Sequence, residues 1–459
     1  MILTMAWKSL VAHPVRTAVL GAGFGLGVSV MATLLGVGEV VLDQARSPKL
    51  AGGGDLLVTS LTGPLTSARF VLARAGADAS VTAASPRRRA DLFLVSRSGS
   101  VTPVRANGGV PSLERALGDP ETSGVPAWVD APGDAAWASP TPASVLRSMD
   151  RFRPVPDVPA RAASWAEWLY FKGRSGDVQF YMTLLVGPRL PDGRRVAGVR
   201  FQLDQGGVTT TYGESAPVEE AELLRDAPDV TIGGARVRLD GLTYRVTFDL
   251  PALGAGTHGR ATGGYTVEAV PGRSLTPIEL RGAGGWVSGY TVPVMSGALK
   301  GAVVADGRHV ELAGQGYHDH NWGFWQGVSW RWGQVQHEGL SYVYGRVIPP
   351  PDAADPARLP GFLVALGPDG PVGYATQVTI EEFDAPGAGR PSTIVVSGRA
   401  RGLDLRMEIA IESAIVNKGG GLSPGPDFLQ MRAQYHVTGR AGGQDVDFTA
   451  PGAAETFRE

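Results

Sequence analysis

Residues 340–348 read LSYVYGRVI, and the chemistry of the side chains changes at every second position in this stretch. Tyr342, Tyr344 and Arg346 alternate with small or aliphatic residues. Successive side chains of a β-strand point to opposite sides of the sheet, so a period of two is typical of a strand with two different faces. The stretch therefore predicts a strand.

Short runs of the same kind recur on both sides of this stretch. They are Trp165–Lys172, Val178–Val186, Val196–Leu203, Ala235–Leu239, Leu242–Leu250, Trp286–Val294, Gly361–Leu366, Thr393–Gly398, Leu403–Glu412 and Phe428–Gly439. Residues typical of hairpin turns separate them, among them Asp240-Gly241 and Gly442-Gly443. Only Pro217–Leu224 has a helical pattern. We predict an all-β protein of two antiparallel β-barrel or sandwich domains that meet near residue 300.

The amino-acid composition of the chain excludes several classes of function and of binding site. The chain has 459 residues, of which 64 are Gly and 34 are Pro, and this richness favours short elements joined by turns. The formal net charge is −2, so nothing indicates a nucleic-acid partner. The one basic run, Arg87–Arg89, is predicted to be a solvated turn. Cysteine is absent, which excludes disulfides and thiolate metal sites.

An apolar segment without charged side chains covers Thr17–Gly38. As a helix it would be about 33 Å long, enough to cross a bilayer. Basic residues precede it and acidic residues follow it, so the positive-inside rule places residues 1–14 in the cytoplasm. We predict an uncleaved transmembrane helix over residues 15–42 in the inner membrane, with the later domains extracytoplasmic. A cleaved signal peptide is the alternative.

The segment 43–150 is rich in Ala, Gly, Pro and Ser and shows little periodicity. Short strands are predicted at Asp55–Thr59 and Asp91–Ser96, and a helical turn at Ser112–Leu117. We interpret the segment as a partly ordered juxtamembrane region and linker. Residues 151–300 and 301–459 would then form the two β domains.

Chemically active side chains are concentrated in residues 314–332, GQGYHDHNWGFWQGVSWRW. If Gly316–Asn321 is a strand, Tyr317, Asp319 and Asn321 face one side, and His318 and His320 face the other. Only a bulge, which the neighbouring glycines would permit, could aim all of them into one cavity.

Three interpretations of this cluster remain open. A carboxyl in an aromatic-walled pocket has a raised pKa, so Asp319 could protonate a C=C bond, and aromatic rings could stabilise the resulting cation. His318 and His320 could instead bind a metal with His337 or a carboxylate as third ligand. The cluster could also be a polar network that only stabilises a β-barrel.

Three motifs resemble one known family. YHDHNWG at Tyr317–Gly323, preceded by WVSGYTVPVMSG at Trp286–Gly297, is similar to the carotenoid 1,2-hydratase family, also called hydroxyneurosporene synthase or CrtC/AttH-like lipocalins. WAEWLYF at Trp165–Phe171 resembles the EWWYF signature of that family, with Leu169 in place of an aromatic residue. The resemblance covers residues 150–459.

The resemblance implies two lipocalin-like domains that add water across a C=C bond of an acyclic carotenoid without a redox cofactor. Carried over, the catalytic acid is Asp319, its partner is Tyr317, and the cation-stabilising ring is Trp286. We predict no cofactor and no metal ligand. The predicted substrate-binding residues are His318, His320, Asn321, Trp322, Trp325, Tyr290, Trp330 and Trp332.

The N-terminal stretch MAWKSLVAHPVRTAVLGAGFGLGVSVMATLLGVGE resembles the first transmembrane segment of MacB/FtsX-type ABC permeases. No second apolar span follows in the sequence, so we expect this protein to share only the membrane anchor with those permeases. The sequence thus leaves two leading hypotheses, beside a surface domain whose site is inactive. The first is a membrane-anchored hydratase-like enzyme for an apolar isoprenoid or lipid-like alkene. The second is a non-catalytic lipid-binding protein that works with an ABC transporter permease.

Overall fold

Most of the chain is β-strand, as the alternating pattern predicts. The computed structural model describes residues 7, 11–46, 53–59, 65, 67–97, 100–226, 228–254, 259–368, 370–384, 387, 389–417 and 427–458. Two units are distinguished: Met1–Ser60 with Ala75–Ala138, and Leu61–Arg74 with Ser139–Glu459. All the strands from residue 165 onward belong to the second unit.

Seven α-helices lie in the described residues. They are α1 (Pro14–Arg46), α2 (Ala68–Gly76), α3 (Pro111–Ala116), α4 (Pro120–Ser123), α5 (Ala135–Ala138), α6 (Pro142–Met149) and α7 (Glu220–Asp226). The helix predicted at Pro217–Leu224 corresponds to α7. The residues Pro14–Val37 of α1 have a mean hydropathy of 1.9 and are long and apolar enough to cross a membrane, a property that signal sequences share.

An antiparallel sheet of eleven strands occupies the first half of the second unit. Its strands are β3 (Trp165–Ser175), β4 (Val178–Arg189), β5 (Arg195–Gln205), β6 (Val208–Ser215), β7 (Val230–Ile232), β8 (Ala235–Asp240), β9 (Thr243–Pro251), β10 (Arg260–Glu268), β11 (Leu275–Arg281), β12 (Val287–Ala305) and β13 (Arg308–Phe324). The order is β6-β5-β4-β3-β13-β12-β10-β9-β8-β7, with β11 beside β12. The sheet curls, since a bridge joins Tyr212 in β6 to Ala252 just after β9.

A second antiparallel sheet of nine strands follows. Its strands are β14 (Ser329–His337), β15 (Leu340–Ile348), β16 (Phe362–Gly367), β17 (Gly370–Ala375), β18 (Val378–Asp384), β19 (Pro391–Ala400), β20 (Leu403–Asn417), β21 (Asp427–Ala441) and β22 (Gln444–Arg458). The order is β17-β16-β15-β14-β22-β21-β20-β19-β18. In β20, Leu403, Leu405 and Met407 are buried while the residues between them are exposed, which is the alternation expected of a sheet with one solvated face.

The boundary between the sheets differs from the predicted one. Residue 300 lies inside β12, and the first sheet ends with Phe324 while the second begins with Ser329. The last two strands of the first sheet are unusually long and pair with each other as one hairpin from Ala305↔Arg308 to Ser288↔Gly323. The motif-rich strand β13 therefore belongs to the first sheet.

The segment 43–150 contains more regular structure than a linker. A hairpin of β1 (Arg87–Val95) and β2 (Val101–Gly109) forms a separate two-stranded sheet, which contains the predicted strand at Asp91–Ser96. The prediction of a solvated turn at Arg87–Arg89 is wrong, because these residues begin β1 and pair with Asn107–Gly109. The predicted strand at Asp55–Thr59 is also wrong, since these residues form none.

Four hydrophobic clusters lie in the described residues of the second unit. One core lies within the curled first sheet, and another lies within the second sheet. A third cluster takes side chains from both, including Tyr170 and Tyr317 from the first sheet and Trp332 and Val343 from the second. Each fully buried large apolar side chain contributes roughly 1.5–3 kcal/mol. We call this third cluster the inter-sheet layer.

Candidate functional site

Strand β13 carries the motif residues and lies between β3 and β12. It pairs with β3 without a register shift from Gln315↔Arg174 to Phe324↔Trp165. The register shifts that the glycines suggested occur in its pairing with β12, around Val294. Because the β13–β3 register is continuous, side chains of β13 alternate between the core of the first sheet and the inter-sheet layer.

Asp319 points into the inter-sheet layer and its side chain is held by both neighbours on the same face. The hydroxyl of Tyr317 donates to Asp319 Oδ2 at 2.9 Å, and Asn321 Nδ2 donates to Oδ1 at 2.9 Å. The two phenol oxygens of Tyr317 and Tyr290 lie 2.8 Å apart, and Trp332 Nε1 donates to Tyr290 at 2.9 Å. Five of the predicted site residues thus form one hydrogen-bonded chain.

Burial dominates the electrostatics of this carboxyl. Only 3% of Asp319 is exposed. Burial raises the pKa of Asp319 well above its ordinary value, and the nearby carboxylate of Glu455 raises it further, whereas the hydrogen bonds from Tyr317 and Asn321 act in the opposite direction. The folded protein therefore favours the protonated form of this carboxyl more than water does.

Two further ionisable groups face the same layer, the half-buried Glu455 and the buried Lys172. Burial raises the pKa of Glu455 in β22 to about 7, although Trp330 Nε1 donates to its Oε2 at 3.0 Å. Burial lowers the pKa of Lys172 in β3 to about 7, and its Nζ donates to Gln334 Oε1 at 3.1 Å. Three ionisable groups with shifted pKa values, Asp319, Glu455 and Lys172, therefore face the space between the sheets.

Half-buried aromatic rings lie next to these groups. Trp168, Trp325 and Trp330 pack together with ring centroids 4.5–5.8 Å apart, and Phe457 lies 4.4 Å from Trp330. Trp168 is the cross-strand partner of Asn321, so the group begins two residues along β13 from Asp319. We call Trp168, Trp325, Trp330 and Phe457 the aromatic group.

The other face of β13 has a different chemistry. His318 Nε2 and His320 Nδ1 each lie 2.9 Å from Asp150, and His320 Nε2 lies 3.2 Å from Glu167. The second nitrogen of His318 faces the carbonyl oxygen of Tyr170 at 3.0 Å. These contacts occupy all four ring nitrogens inside the first sheet. The substrate-binding role of the two histidines stays a prediction, and Asp319 is not among their partners.

The pKa values on this face reflect paired charges. Burial alone would raise the pKa of Asp150, but His318 and His320 outweigh it and hold the pKa well below its usual range. Burial alone would lower the pKa of His320, but its hydrogen bonds to Asp150 and Glu167 raise it. The hydroxyl of Tyr244 adds a third donor to Asp150, at 2.6 Å. This network ties residue 150 to the core of the first sheet.

Trp286 and Trp322 lie in yet another cluster, with Trp165 and Phe324. Trp286 Nε1 donates to the carbonyl of Phe324 at 3.0 Å. Trp322 Nε1 donates to Glu279 at 3.1 Å, and the guanidinium of Arg153 covers the indole 3.2 Å from its centroid. The structure therefore does not bring Trp286 into the cluster of Tyr317, and its cation-stabilising role stays a prediction.

Gly289 in β12 leaves room for the indole of its cross-strand partner, Trp322. A Cβ atom at this position would clash with the Trp322 indole across the β12–β13 pair. Glycine is therefore required by the close approach of the ring to the neighbouring strand.

The metal interpretation has little geometric basis. Within the parts of the chain that the structure describes, no group of three His, Asp or Glu side chains is arranged to hold a metal ion. His337, the suggested third ligand, stacks on Phe448 at 4.3 Å in the second sheet.

A small cavity borders the site. Its volume is about 10 Å³, which is room for about one water molecule. It is lined by Lys172, Gly173, Arg174, Gln315, Tyr317, Gln334, Gln336 and Pro451. The rings of Tyr170, Tyr317 and Trp332 pack 5.8–6.5 Å apart beside Asp319, so a large ligand has to displace aromatic side chains.

Sequence reasoning missed four residues of the site. Trp168, Tyr170 and Lys172 are the cross-strand partners of Asn321, Asp319 and Tyr317. These three residues stand at every second position of WAEWLYFK, and every second residue of a strand lies on the same face. The sequence pattern could therefore have predicted that they share one face. Glu455 stands alone in an Ala-rich stretch, and no local pattern marked it.

Comparison with known proteins gives fold-level similarity only. No protein-family model and no curated protein matches the chain. Among solved structures, a candidate AttH from Nitrosomonas europaea is 13% identical with a TM-score of 0.44, over 67% of this chain and 99% of its own. Nothing in these comparisons supports the permease likeness of the N-terminal stretch.

Two further solved structures are similar to the same extent. Kievitone hydratase from Nectria haematococca is 10% identical with a TM-score of 0.44, over 67% of this chain and 94% of its own. CghA is 13% identical with a TM-score of 0.43, over 70% of this chain and 95% of its own.

Proposed function

We propose that this protein is a hydratase-like enzyme that protonates a C=C bond of an apolar, isoprenoid or lipid-like substrate. Asp319 is the acid. The observation that carries the proposal is the buried Asp319 carboxyl, whose pKa is raised well above its usual range and which is oriented by Tyr317 and Asn321. A carboxyl kept neutral by its surroundings is what a proton donor to an alkene requires.

The proposed reaction needs only a proton and water. Asp319 transfers its proton to one alkene carbon, and the π electrons form the new C–H bond. The neighbouring carbon becomes a cation, which the faces of Tyr170 and Trp332 can stabilise by about 0.5–2 kcal/mol each. A water oxygen then bonds to this carbon and loses a proton to the Asp319 carboxylate, so that the acid is regenerated. The net change is the addition of water, which requires no redox cofactor.

The hydrogen-bond chain beside Asp319 suits a group that both donates and accepts a proton. When Asp319 is ionised, the hydroxyl of Tyr317 donates to it. When Asp319 is protonated, the same hydroxyl can turn toward Tyr290, because either oxygen of that 2.8 Å pair can donate. Both protonation states therefore keep their hydrogen bonds, which favours rapid exchange.

Glu455 and Lys172 supply further proton exchange in the same layer. Both have pKa values of about 7, near the pH at which a general base is most effective. Lys172 also lines the cavity that has room for about one water molecule. We assign the delivery of water to this side of the site, while the Asp319 carboxylate accepts the proton that the water loses.

The aromatic group is the proposed route for the substrate. Its three tryptophans are half-buried, whereas Asp319 is fully buried. An apolar chain can replace solvent on these rings and reach Asp319 by displacing Trp168 and its neighbours. The substrate class follows from this lining, because rings without free charges favour hydrocarbon over polar metabolites.

A single substitution tests the catalytic assignment. Asp319→Asn keeps the shape of the side chain and removes its acidity, and we expect the hydration of acyclic carotenoids or other apolar alkenes to fall at least about a hundredfold. Asp249→Asn is the matched control, because Asp249 is more than half exposed and forms an ion pair with Arg260 at the surface. Product formation by Asp319→Asn at the wild-type rate would overturn the proposal.

The proposed location is the inner membrane, with the two sheets outside the cytoplasm. The support is the apolar helix α1 and the basic residues that precede its apolar segment. The chain has no cysteine, so Ser413→Cys on the exposed face of β20 introduces a unique label site. A membrane-impermeant maleimide should label it in cells whose outer membrane alone has been permeabilised. Labelling only after the inner membrane is lysed would contradict this location.

A second candidate function is lipid binding without turnover, in partnership with an ABC-type transporter permease. The half-buried aromatic group supports it, because its rings can hold an apolar chain while the packed rings of Tyr170, Tyr317 and Trp332 keep that chain away from the acid. Lipid extracted from the purified protein distinguishes the two functions. Bound, unmodified lipid with no product from a broad alkene panel supports binding. Purification from native membranes without any permease weakens the transporter partnership.

A further inference from the structure

The hairpin of β1 and β2 exposes apolar side chains on both of its faces. Leu92, Phe93, Leu94 and Val95 are 51–70% exposed, and Val101 across the turn is 59% exposed. Leu92 and Leu94 point to one side, whereas Phe93 and Val95 point to the other. Soluble proteins rarely leave such a contiguous apolar surface uncovered.

We propose that the end of this hairpin inserts into the interfacial region of a lipid bilayer. A groove on a protein partner would cover one face of a two-stranded sheet, but a bilayer interface surrounds a hairpin on all sides. The four apolar residues of β1 span about 13 Å, which is comparable with the 5–10 Å to which interfacial segments penetrate. The proposal does not depend on the proposed catalytic function.

The charges on the hairpin complement an anionic lipid surface. Residues 87–109 contain five Arg and one Asp, and one of these arginines, Arg87, is paired with Glu114 and Asp119. Arg97 lies in the turn and is exposed, and Arg88 near the base of β1 is exposed as well. Arginine side chains close to a membrane with anionic lipids are attracted by its negative surface potential.

The hairpin follows the apolar helix α1 within the same unit of the chain. A chain that is anchored by α1 would hold the hairpin close to the bilayer surface. The outer edges of a two-stranded sheet leave backbone groups unpaired, and these cannot enter the hydrocarbon core. The insertion is therefore interfacial and not transmembrane.

The absence of cysteine allows a direct test on the full-length protein. Phe93→Cys carries a spin label in the hairpin, and Ser413→Cys carries the same label on an exposed face of the second sheet. Both proteins are reconstituted into vesicles of phosphatidylcholine, alone or mixed with phosphatidylglycerol. Collisions with oxygen, which concentrates in lipid, are compared with collisions with a water-soluble nickel chelate.

We expect oxygen collisions to exceed nickel collisions at position 93, and the reverse at position 413. Adding Arg88→Gln and Arg97→Gln should reduce the excess at position 93 in vesicles that contain phosphatidylglycerol. Nickel accessibility at position 93 equal to that at position 413 overturns the proposal. Spin–spin broadening that disappears on dilution with unlabelled protein also overturns it, because the hairpin would then pair with a second copy. Protection from both reagents without broadening indicates that another protein surface covers the hairpin, and this result also overturns the proposal.

Discussion

Asp150 and His318 are 168 residues apart in the chain, and Asp150 Oδ2 lies 2.9 Å from His318 Nε2 inside the first sheet. His318 directly precedes Asp319, yet its ring lies on the opposite side of β13 from that carboxyl. One strand therefore separates a paired-charge network from a carboxyl whose pKa is raised by burial. The two faces make different predictions for stability and for activity.

Removing Asp150 should destabilise the protein strongly. Asp150→Ala leaves the rings of His318 and His320 and the hydroxyl of Tyr244 without their buried acceptor. We expect a loss of about 3–5 kcal/mol in the free energy of unfolding, measured by denaturant titration. Asp249→Ala, at an exposed ion pair, should cost about 0–1 kcal/mol. Equal effects of the two substitutions would show that the network is not structural.

The charge of Glu455 should make stability fall as the pH rises. Its pKa is raised from 4.5 to about 7 in the folded protein, so the folded state holds a proton that the unfolded state has lost. This contribution is complete below pH 4.5 and disappears as the pH rises through about 7, and its size is on the order of 3 kcal/mol. Glu455→Gln should remove this slope and be more stable than wild type above pH 7.

Denaturant titrations at several pH values between about 4 and 8 give the unfolding free energies that check this prediction. The matched control is Glu408→Gln, because Glu408 is about half exposed on β20. A slope that Glu455→Gln leaves unchanged would assign the pH dependence to another group.

Lys172 should produce the opposite slope at higher pH. Its pKa is lowered from 10.5 to about 7, so the neutral amine is favoured in the folded protein. The stability that this neutral form contributes is complete above pH 10.5 and disappears as the pH falls through about 7. Lys172→Met should flatten the rise in stability between pH 7 and 10.5. Lys300→Met, at an exposed position of β12, should retain the rise in stability. If Lys300→Met also loses this rise, the pH dependence does not come from Lys172.

Tyr317 should act through Asp319 and not through the substrate. Tyr317→Phe removes a hydrogen bond that lowers the pKa of Asp319, so the pKa should rise further. Hydrogen bonds to charged groups contribute about 1.5–3 kcal/mol, which predicts a loss in kcat of about ten- to a hundredfold. The KM for an apolar alkene should change little, and the loss of activity at high pH should move to higher pH.

Tyr342→Phe is the matched control for this experiment. Tyr342 is a buried tyrosine whose hydroxyl has no hydrogen-bond partner among the described residues. Its kcat and pH profile should match the wild type. A Tyr317→Phe variant with an unshifted pH profile and a raised KM would indicate that Tyr317 contacts the substrate instead.

The amino-acid sequence by itself determined the β class, the apolar N-terminal helix and the division of the motif between two strand faces. Each of these follows from a local period: two residues for a strand, or an unbroken apolar run for α1. Strand alternation placed Asp319 and Tyr317 together, and the structure shows the same grouping because β13 pairs with β3 without a register shift.

Only the tertiary structure decided which distant groups meet. Glu455 reaches the layer of Asp319 because the second sheet packs against the first, and Asp150 reaches the histidines because the segment before β3 turns into the core of the first sheet. Trp286 occupies a separate cluster, although it precedes the motif in sequence. These contacts depend on strand order and on sheet packing, which join residues far apart in the chain and leave no periodic trace in the sequence.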